Sequence, residues 1–216
     1  MKKMDNKLFV QYGCGLSAPQ QWKNFDTSPT LRIQKIPILG NILKRKLNTI
    51  FPNNVLYGDV VKGLPIKENE CNSVYCSHVL EHLSLNDFRK ALSETCRILK
   101  PGGVFRCIVP DLEVIAKNYI QALQTKSETA SINFIGNNTL LGVVERTRGL
   151  KGLITAYYGN AHHLWMWDYY SLSAELKKAG FKEIRRAIFN DSIHPEFKLV
   201  EDKQRFENAV AIECYK

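Results

Sequence analysis

Several things are missing from this chain. No apolar run approaches the ~18 residues that suggest a membrane span. The N-terminal MKKMDNKLFVQYG is basic, but its apolar stretch is too short for a secretion signal. The six cysteines, at 14, 71, 76, 96, 107 and 214, form no C-x-x-C pair, which removes the usual paired-cysteine zinc and redox motifs. They are expected to be reduced and mostly in the core of a cytoplasmic protein. There is no internal repeat, low-complexity tract or interdomain linker. Acidic residues are the scarcer charge, 21 against 30 Lys and Arg, for a net charge of +9. That balance favours anionic partners: phosphorylated substrates, nucleic acid or an anionic membrane surface. No basic run is interleaved with exposed-looking aromatics, so nucleic acid is not expected.

What is present alternates strand with helix. KLFVQYG (7–13), WKNFDTSP (22–29), NNVLYGDV (53–60), NSVYCSHV (72–79) and VFRCIVP (104–110) read as five strands, with EIRRAIF (183–189) and NAVAIECY (208–215) as the last two. SLNDFRKALSETCRIL (84–99) reads as a helix that Ser84 or Asn86 can cap, stopped by KPGG. YYSLSAELKKAGF (169–181) reads as another, with Gly180 at its end. Residues 31–51 are mixed and read as helical. A helical insertion is expected over about 112–165, with Gly136, Gly142, Gly149, Gly152 and Gly159 late in it. The basic, apolar-striped ILKRKLNTIF (42–51) is a candidate for peripheral membrane contact or for a surface helix on its own domain. The pattern predicts one α/β domain over 1–216, with a mostly parallel sheet covered on both faces.

In such sheets ligands bind above the carboxyl ends of the strands. After the first strand come Gly13, Cys14 and Gly15, where the backbone can approach a ligand closely. After the second comes Asp26, placed to take ribose hydroxyls; after the third, Asp59, placed to accept from an adenine amino group; after the fourth, Ser77 and His78. SHVLEHL (77–83) also spells H-x-x-E-H, a zinc-peptidase spacing. Such a motif belongs within a long helix, whereas NSVYCS runs into His78 as a strand, so no metal is expected.

The residues FVQYGCG, Asp26 in NFDTSP, the stretch YGDVVKGLPIKENECNSVYCSHVLEHL and ALSETCRILKPGGVFRCIVPD together resemble the class I S-adenosylmethionine-dependent methyltransferases. The likeness is closest to the small methyltransferase-like proteins of surface-polysaccharide gene clusters, to which VPDLE and AHHLWMWDYYSL add. It implies a Rossmann-like three-layer α/β/α sandwich with a seven-stranded sheet and an antiparallel last strand. It implies S-adenosylmethionine as cofactor, with Gly13, Cys14 and Gly15 along its methionine part, Asp26 on the ribose, Asp59 and Val60 at the adenine, and Ser77 and His78 at the sulfonium end. The chain departs from the pattern at Gln11, where an acidic residue is usual, and lacks the third glycine. The span from Gly15 to Asp26 is too short for a full first helix before the second strand, so that helix is expected to be shortened or missing.

A sulfonium methyl is already electrophilic, so the protein has mainly to align an acceptor and exclude water. A hydroxyl acceptor also needs a base. His78 and His163 are the catalytic candidates. His162, Trp165 and Trp167 belong to the same HHLWMW cluster as His163, and the sequence leaves open which histidine faces the pocket. The expected acceptor is a small molecule or glycan, phosphorylated or nucleotide-linked to suit the basic charge. The alternative is a non-catalytic binding protein or pseudoenzyme of the same fold.

Overall fold

The apolar runs become β1 (Phe9–Tyr12), β2 (Trp22–Asp26), β3 (Val55–Tyr57), β4 (Cys71–Ser77), β5 (Leu99–Pro110), β6 (Lys182–Ala187) and β7 (Ala209–Tyr215). In the computed structural model, which describes residues 7–36, 49–145 and 162–216, they form one sheet in the order β3-β2-β1-β4-β5-β7-β6. The first five pair in parallel, and β7 runs antiparallel between β5 and β6. This is the expected Rossmann-like sheet with its antiparallel last strand.

The helices are α1 (Pro29–Gln34), α2 (Leu85–Ile98), α3 (Leu112–Gln124) and α4 (Tyr169–Lys178). Ser84, rather than Asn86, caps α2 by accepting from the Asp87 amide at 3.3 Å. Phe88, Ala91, Leu92, Thr95 and Ile98 recur at helical spacing and bury one face of α2. Asp168 and Ser171 form a reciprocal capping box at the start of α4, and Gly180 (φ +99°) turns the chain after it. Both helices pack on one sheet face, against Val10, Tyr12, Val74, Cys76, Phe105 and Cys107. KPGG does more than stop α2: it lies inside β5, with Gly102 at φ +74° beside a register shift between Cys71 and Ser73. The six cysteines are free, and all but Cys96 are buried. No helix among the described residues is long and apolar enough to cross a membrane.

The expected insertion begins with α3, followed by a short helix, Ala130–Ile132, that runs into a π-helical segment, Asn133–Asn138. Gly149, Gly152 and Gly159 lie outside the described residues, as does most of the basic 42–51 segment. Of that segment's apolar stripe, Phe51 is buried beside Leu31 and Val55, and its amide and carbonyl both bond the Gln34 side chain.

The second face of the sheet is built differently. Parallel neighbours are usually joined by about a dozen residues or more, with a helix, yet residues 13–21 link β1 to β2 with no helix. Gln11 holds this loop: its amide donates to the Ser17 carbonyl (2.7 Å) and to Asn24 Oδ1 (2.6 Å), while Asn24 donates to the carbonyls of Pro19 and Trp22. An amide supplies the two donors this arrangement needs, which a carboxylate could not. The expected loss of the first helix and the Gln11 departure are thus one structural fact. The face is covered by α1 at the β2–β3 edge and by two 3₁₀ turns, Pro195–Leu199 and Lys203–Phe206.

Sheet register puts a polar row under those turns: Asn24, Gln11, Tyr75, Arg106, Glu213 and Arg185 lie side by side across six strands. Arg106 is fully buried. Its guanidinium donates to Glu201, to Glu213 Oε2 (3.0 Å), to Asp191 Oδ1 (2.8 Å) and to the Ile188 carbonyl (2.7 Å). Arg185 completes the network on Glu213 and Asp191, and Glu201 also accepts from the Asn190 amide. Removing one partner of such a network strands buried charge, at a cost of about 3–5 kcal/mol. We therefore expect Arg106→Met to lower the urea-unfolding free energy by about 3–5 kcal/mol, and addition of Glu201→Gln and Glu213→Gln to restore part of it. A loss for Arg106→Met below about 1 kcal/mol would contradict the clamp.

Candidate functional site

The carboxyl ends of β1 to β4 open onto two cavities that share Tyr12 and Gly13. One, of about 500 Å³, is walled by Thr27, Tyr57, Gly58, Asp59, Val60 and Val79 among others. The other, of about 470 Å³, is walled by Cys14, Gly15, Tyr75, Ser77, Glu201 and Arg205 among others. Both fall in the range of small-molecule sites. Gly13 is the divide between them. It has φ +65°, and a Cβ there would meet Val79 Cγ2 at 2.1 Å, so only glycine fits without displacement. Gly58 is confined in the same way by Phe25 and Leu64.

The expected residues differ in what they touch. Asp59 lines the first cavity; its Oδ1 accepts from the Val61 amide at 3.0 Å, and Oδ2 lies 3.4 Å from exposed Lys62, leaving it open to a further donor. Val60 lines the same cavity and is otherwise buried. Asp26 lines neither cavity. Its two oxygens accept from the amides of Gly15 (3.0 Å) and Ser28 (2.8 Å), so it ties the glycine loop to the end of β2. Burial, together with the Asp26 carboxylate, pushes the Cys14 thiol up to about 12, so it is a neutral wall and not a nucleophile.

Ser77 lines the second cavity, and neither its hydroxyl nor that of Tyr75 has a hydrogen-bond partner among the described residues. Unpartnered buried hydroxyls are costly unless a ligand or water completes them. His78 stands at the end of β4 in the left-handed region, φ +53°. Its Nε2 donates to the Arg205 carbonyl at 2.9 Å, and its Nδ1 lies 3.3 Å from Glu81 Oε1, within ion-pair range but off-line for a hydrogen bond. Burial alone would lower its pKa; the Glu81 carboxylate and the Arg205 carbonyl outweigh this and raise it. With both nitrogens facing acceptors, His78 presents no free lone pair to a substrate and holds the turn instead.

The two histidines left open by the sequence differ in burial, and neither lines either of the two cavities. His162 is exposed, whereas His163 is buried, with its ring 4.9 Å from that of His82. Burial lowers the His163 pKa, against a smaller opposing pull from Glu81. Trp167 is a core plug stacked on Phe88 at 4.2 Å, while Trp165 remains half-exposed. His194 is half-buried, within 3.3 Å of the Tyr215 hydroxyl. The walls supplied by Leu199 to Arg205 carry no local signal: they reach the second cavity because Arg106, the Phe197 and Val200 packing and bonds from Trp22 and Ser73 to Glu196 hold that segment on the sheet. Gly58 was findable as a glycine placed directly between a strand and Asp59.

With this geometry in place, comparison with known proteins adds the following. Residues 11–107 match the family model described as a methyltransferase domain. Over 127 residues the chain is 33% identical to an uncharacterized protein of Methanocaldococcus jannaschii, covering 56% of this chain and 49% of that protein. Over 56 residues it is 36% identical to a protein of Aspergillus luteorubrus named "Probable methyltransferase", covering 24% of this chain and 20% of that one. The matches therefore span half or less of these curated relatives. Among solved structures, a SAM-dependent methyltransferase from Thermotoga maritima is similar over 97% of this chain and 82% of its own, at 20% identity and TM-score 0.49.

The Gly13 divide makes a direct prediction. Gly13→Ala should destabilise the fold by about 2–4 kcal/mol, from the clash and from the left-handed backbone together. Adding Val79→Ala should relieve the clash but not the backbone strain, giving a coupling of at least about 1 kcal/mol in a denaturation double-mutant cycle. Additivity within about 0.5 kcal/mol would refute the contact.

Proposed function

We infer that the chain is a class I S-adenosylmethionine-dependent methyltransferase that transfers the methyl group of S-adenosylmethionine to an acceptor hydroxyl. The observation that supports this most is the pair of cavities meeting at Gly13 above the carboxyl ends of β1 to β4. The residues present suit the cofactor. Asp59 and Val60 take the adenine, Asp59 through its open Oδ2. The loop from Gly13 to Gly15 passes along the methionine part, and Asp26 keeps that loop in place. Ser77, with its free hydroxyl, stands toward the sulfonium end.

When bound, the cofactor supplies an already electrophilic methyl group. The protein's work is then to hold the acceptor in line and keep water out. On the acceptor side we assign His163, the inward member of its pair, and keep His78 as the group that fixes the strand end. A small or glycan-type acceptor bearing phosphate is the class favoured by the net charge of +9, with half-exposed Trp165 able to face a sugar ring. A cytoplasmic role in surface-polysaccharide synthesis belongs to the same proposal. The helix-free first loop is the feature that favours the rival, a non-catalytic protein of this fold.

Titration calorimetry separates the two. S-Adenosylmethionine and S-adenosylhomocysteine should both bind, and Asp59→Ala should weaken binding about tenfold, or about 1.4 kcal/mol. No binding of either ligand at millimolar concentration would remove the enzyme reading. Unchanged affinity in Asp59→Ala would move the adenine elsewhere.

A further inference from the structure

H-x-x-E-H was set aside as a zinc motif because His78 ends a strand, and the structure agrees on that point. It also reveals a different set of ligands. Glu81 and His82 lie in the 3₁₀ turn Leu80–His82 after β4, and His163 returns from the far side of the insertion to meet them. One ligand atom from each of the three lies within 4.8 Å of the others. Donors on one tetrahedral zinc ion sit about 3.4 Å apart, for bonds near 2.1 Å, so small side-chain rotations would close the set. His78 is not among the three.

The second observation is the state of these groups. Glu81 is 1% exposed, yet neither of its carboxylate oxygens accepts a hydrogen bond among the described residues, and neither does the buried Nδ1 of His163 have a partner. A buried carboxylate with no hydrogen-bond donor, and only His78 Nδ1 beside it at 3.3 Å, still leaves an oxygen for a bound cation to complete. The outer contacts are those that orient metal-binding histidines. His82 Nδ1 lies 3.1 Å from the His162 carbonyl, to which it donates, leaving Nε2 bare. The two segments are fastened together: the Glu81 carbonyl accepts from the amides of Leu164 (2.7 Å) and Trp165 (3.1 Å), and the His163 amide donates to the Leu140 carbonyl.

We propose that Glu81, His82 and His163 form a binding site for one divalent transition-metal ion, zinc by its donor set. Two imidazoles and one carboxylate suit zinc, cobalt or manganese and not magnesium, which takes oxygen donors. Three protein ligands leave a coordination position for water or for an oxygen of a bound molecule, the arrangement of a reactive rather than a purely structural site. The proposal rests on the ligand geometry; it shares His163 with the acceptor-side assignment above, and a bound metal would make His163 a ligand in place of a base.

The test uses the full chain, stripped with a chelator and dialysed, then titrated with zinc chloride by calorimetry and with cobalt(II) by absorption spectroscopy. The expected result is one equivalent of tightly held metal, with weak cobalt d–d bands and no thiolate charge-transfer band, since the six cysteines are the competing donors. Glu81→Gln and His163→Ala should each weaken uptake about a hundredfold with far-UV circular dichroism unchanged, and His194→Ala should not alter it. Should either variant fail to fold, His82→Ala carries the same comparison. Absence of stoichiometric uptake by the parent chain, a thiolate band, or equal uptake in the folded variants would each overturn the site. None of these readouts involves the methyl donor, so failure of metal uptake leaves the methyl-transfer reading standing.

Discussion

A guanidinium with no exposed surface sets the terms for much of this molecule. Arg106 projects from β5 onto the sheet face that lacks a helix between β1 and β2. Left bare, that face would expose Trp22, Tyr75, Val104 and Ile108, which the 3₁₀ turns with Phe197 and Val200 bury instead. Arg106 reaches Glu201 and Asp191 in this covering segment and Glu213 in β7. A buried ion network is a poor source of net stability but a strict condition on geometry, because every member must be partnered. Here it fixes where residues 188–206 cross the sheet. The same segment then supplies Glu201 and Arg205 to the second cavity and the carbonyl that holds His78.

Local pattern carried most of the fold. The strand runs, the α2 periodicity, the Ser84 cap and Gly180 are signals written over a few neighbouring residues, and each formed its element, although β2 and β3 end three residues early and β5 starts five residues before the expected run. Two lone charges inside apolar strands, Arg106 in VFRCIVP and Glu213 in AVAIECY, were a signal of another kind. A charge alternating inward on a buried strand must be paired, but its partners sit 95 and 107 residues away, and no spacing names them. KPGG was half legible: two glycines after a helix stop it, yet whether the chain turns away or bends within a strand depends on the pairing partner.

The site divides along the same line. Gly13, Gly15, Asp59 and Ser77 line the two cavities because they follow strand ends, where such sheets open, a rule of topology legible in the sequence. Asp26 had the right place but a local use, since the helix-free loop beside it needed a carboxylate to accept the Gly15 amide. Gln11 is the matching case in reverse: a departure from the expected acidic residue that the short loop explains through two amide donors. H-x-x-E-H already grouped Glu81 and His82, with His78, but His163 joins them only through tertiary return of the chain.

The central claim is that one cofactor lies across Gly13, adenine toward Asp59 and sulfur toward Ser77. A crystal structure of the protein grown with S-adenosylhomocysteine tests it most directly. The account predicts density running from the Asp59–Val60 wall, past Gly13, to the Ser77 hydroxyl, with Asp26 still bonded to the Gly15 amide. Density confined to another part of the surface, or a nucleoside seated on Asp26 with the glycine loop rearranged, would contradict it.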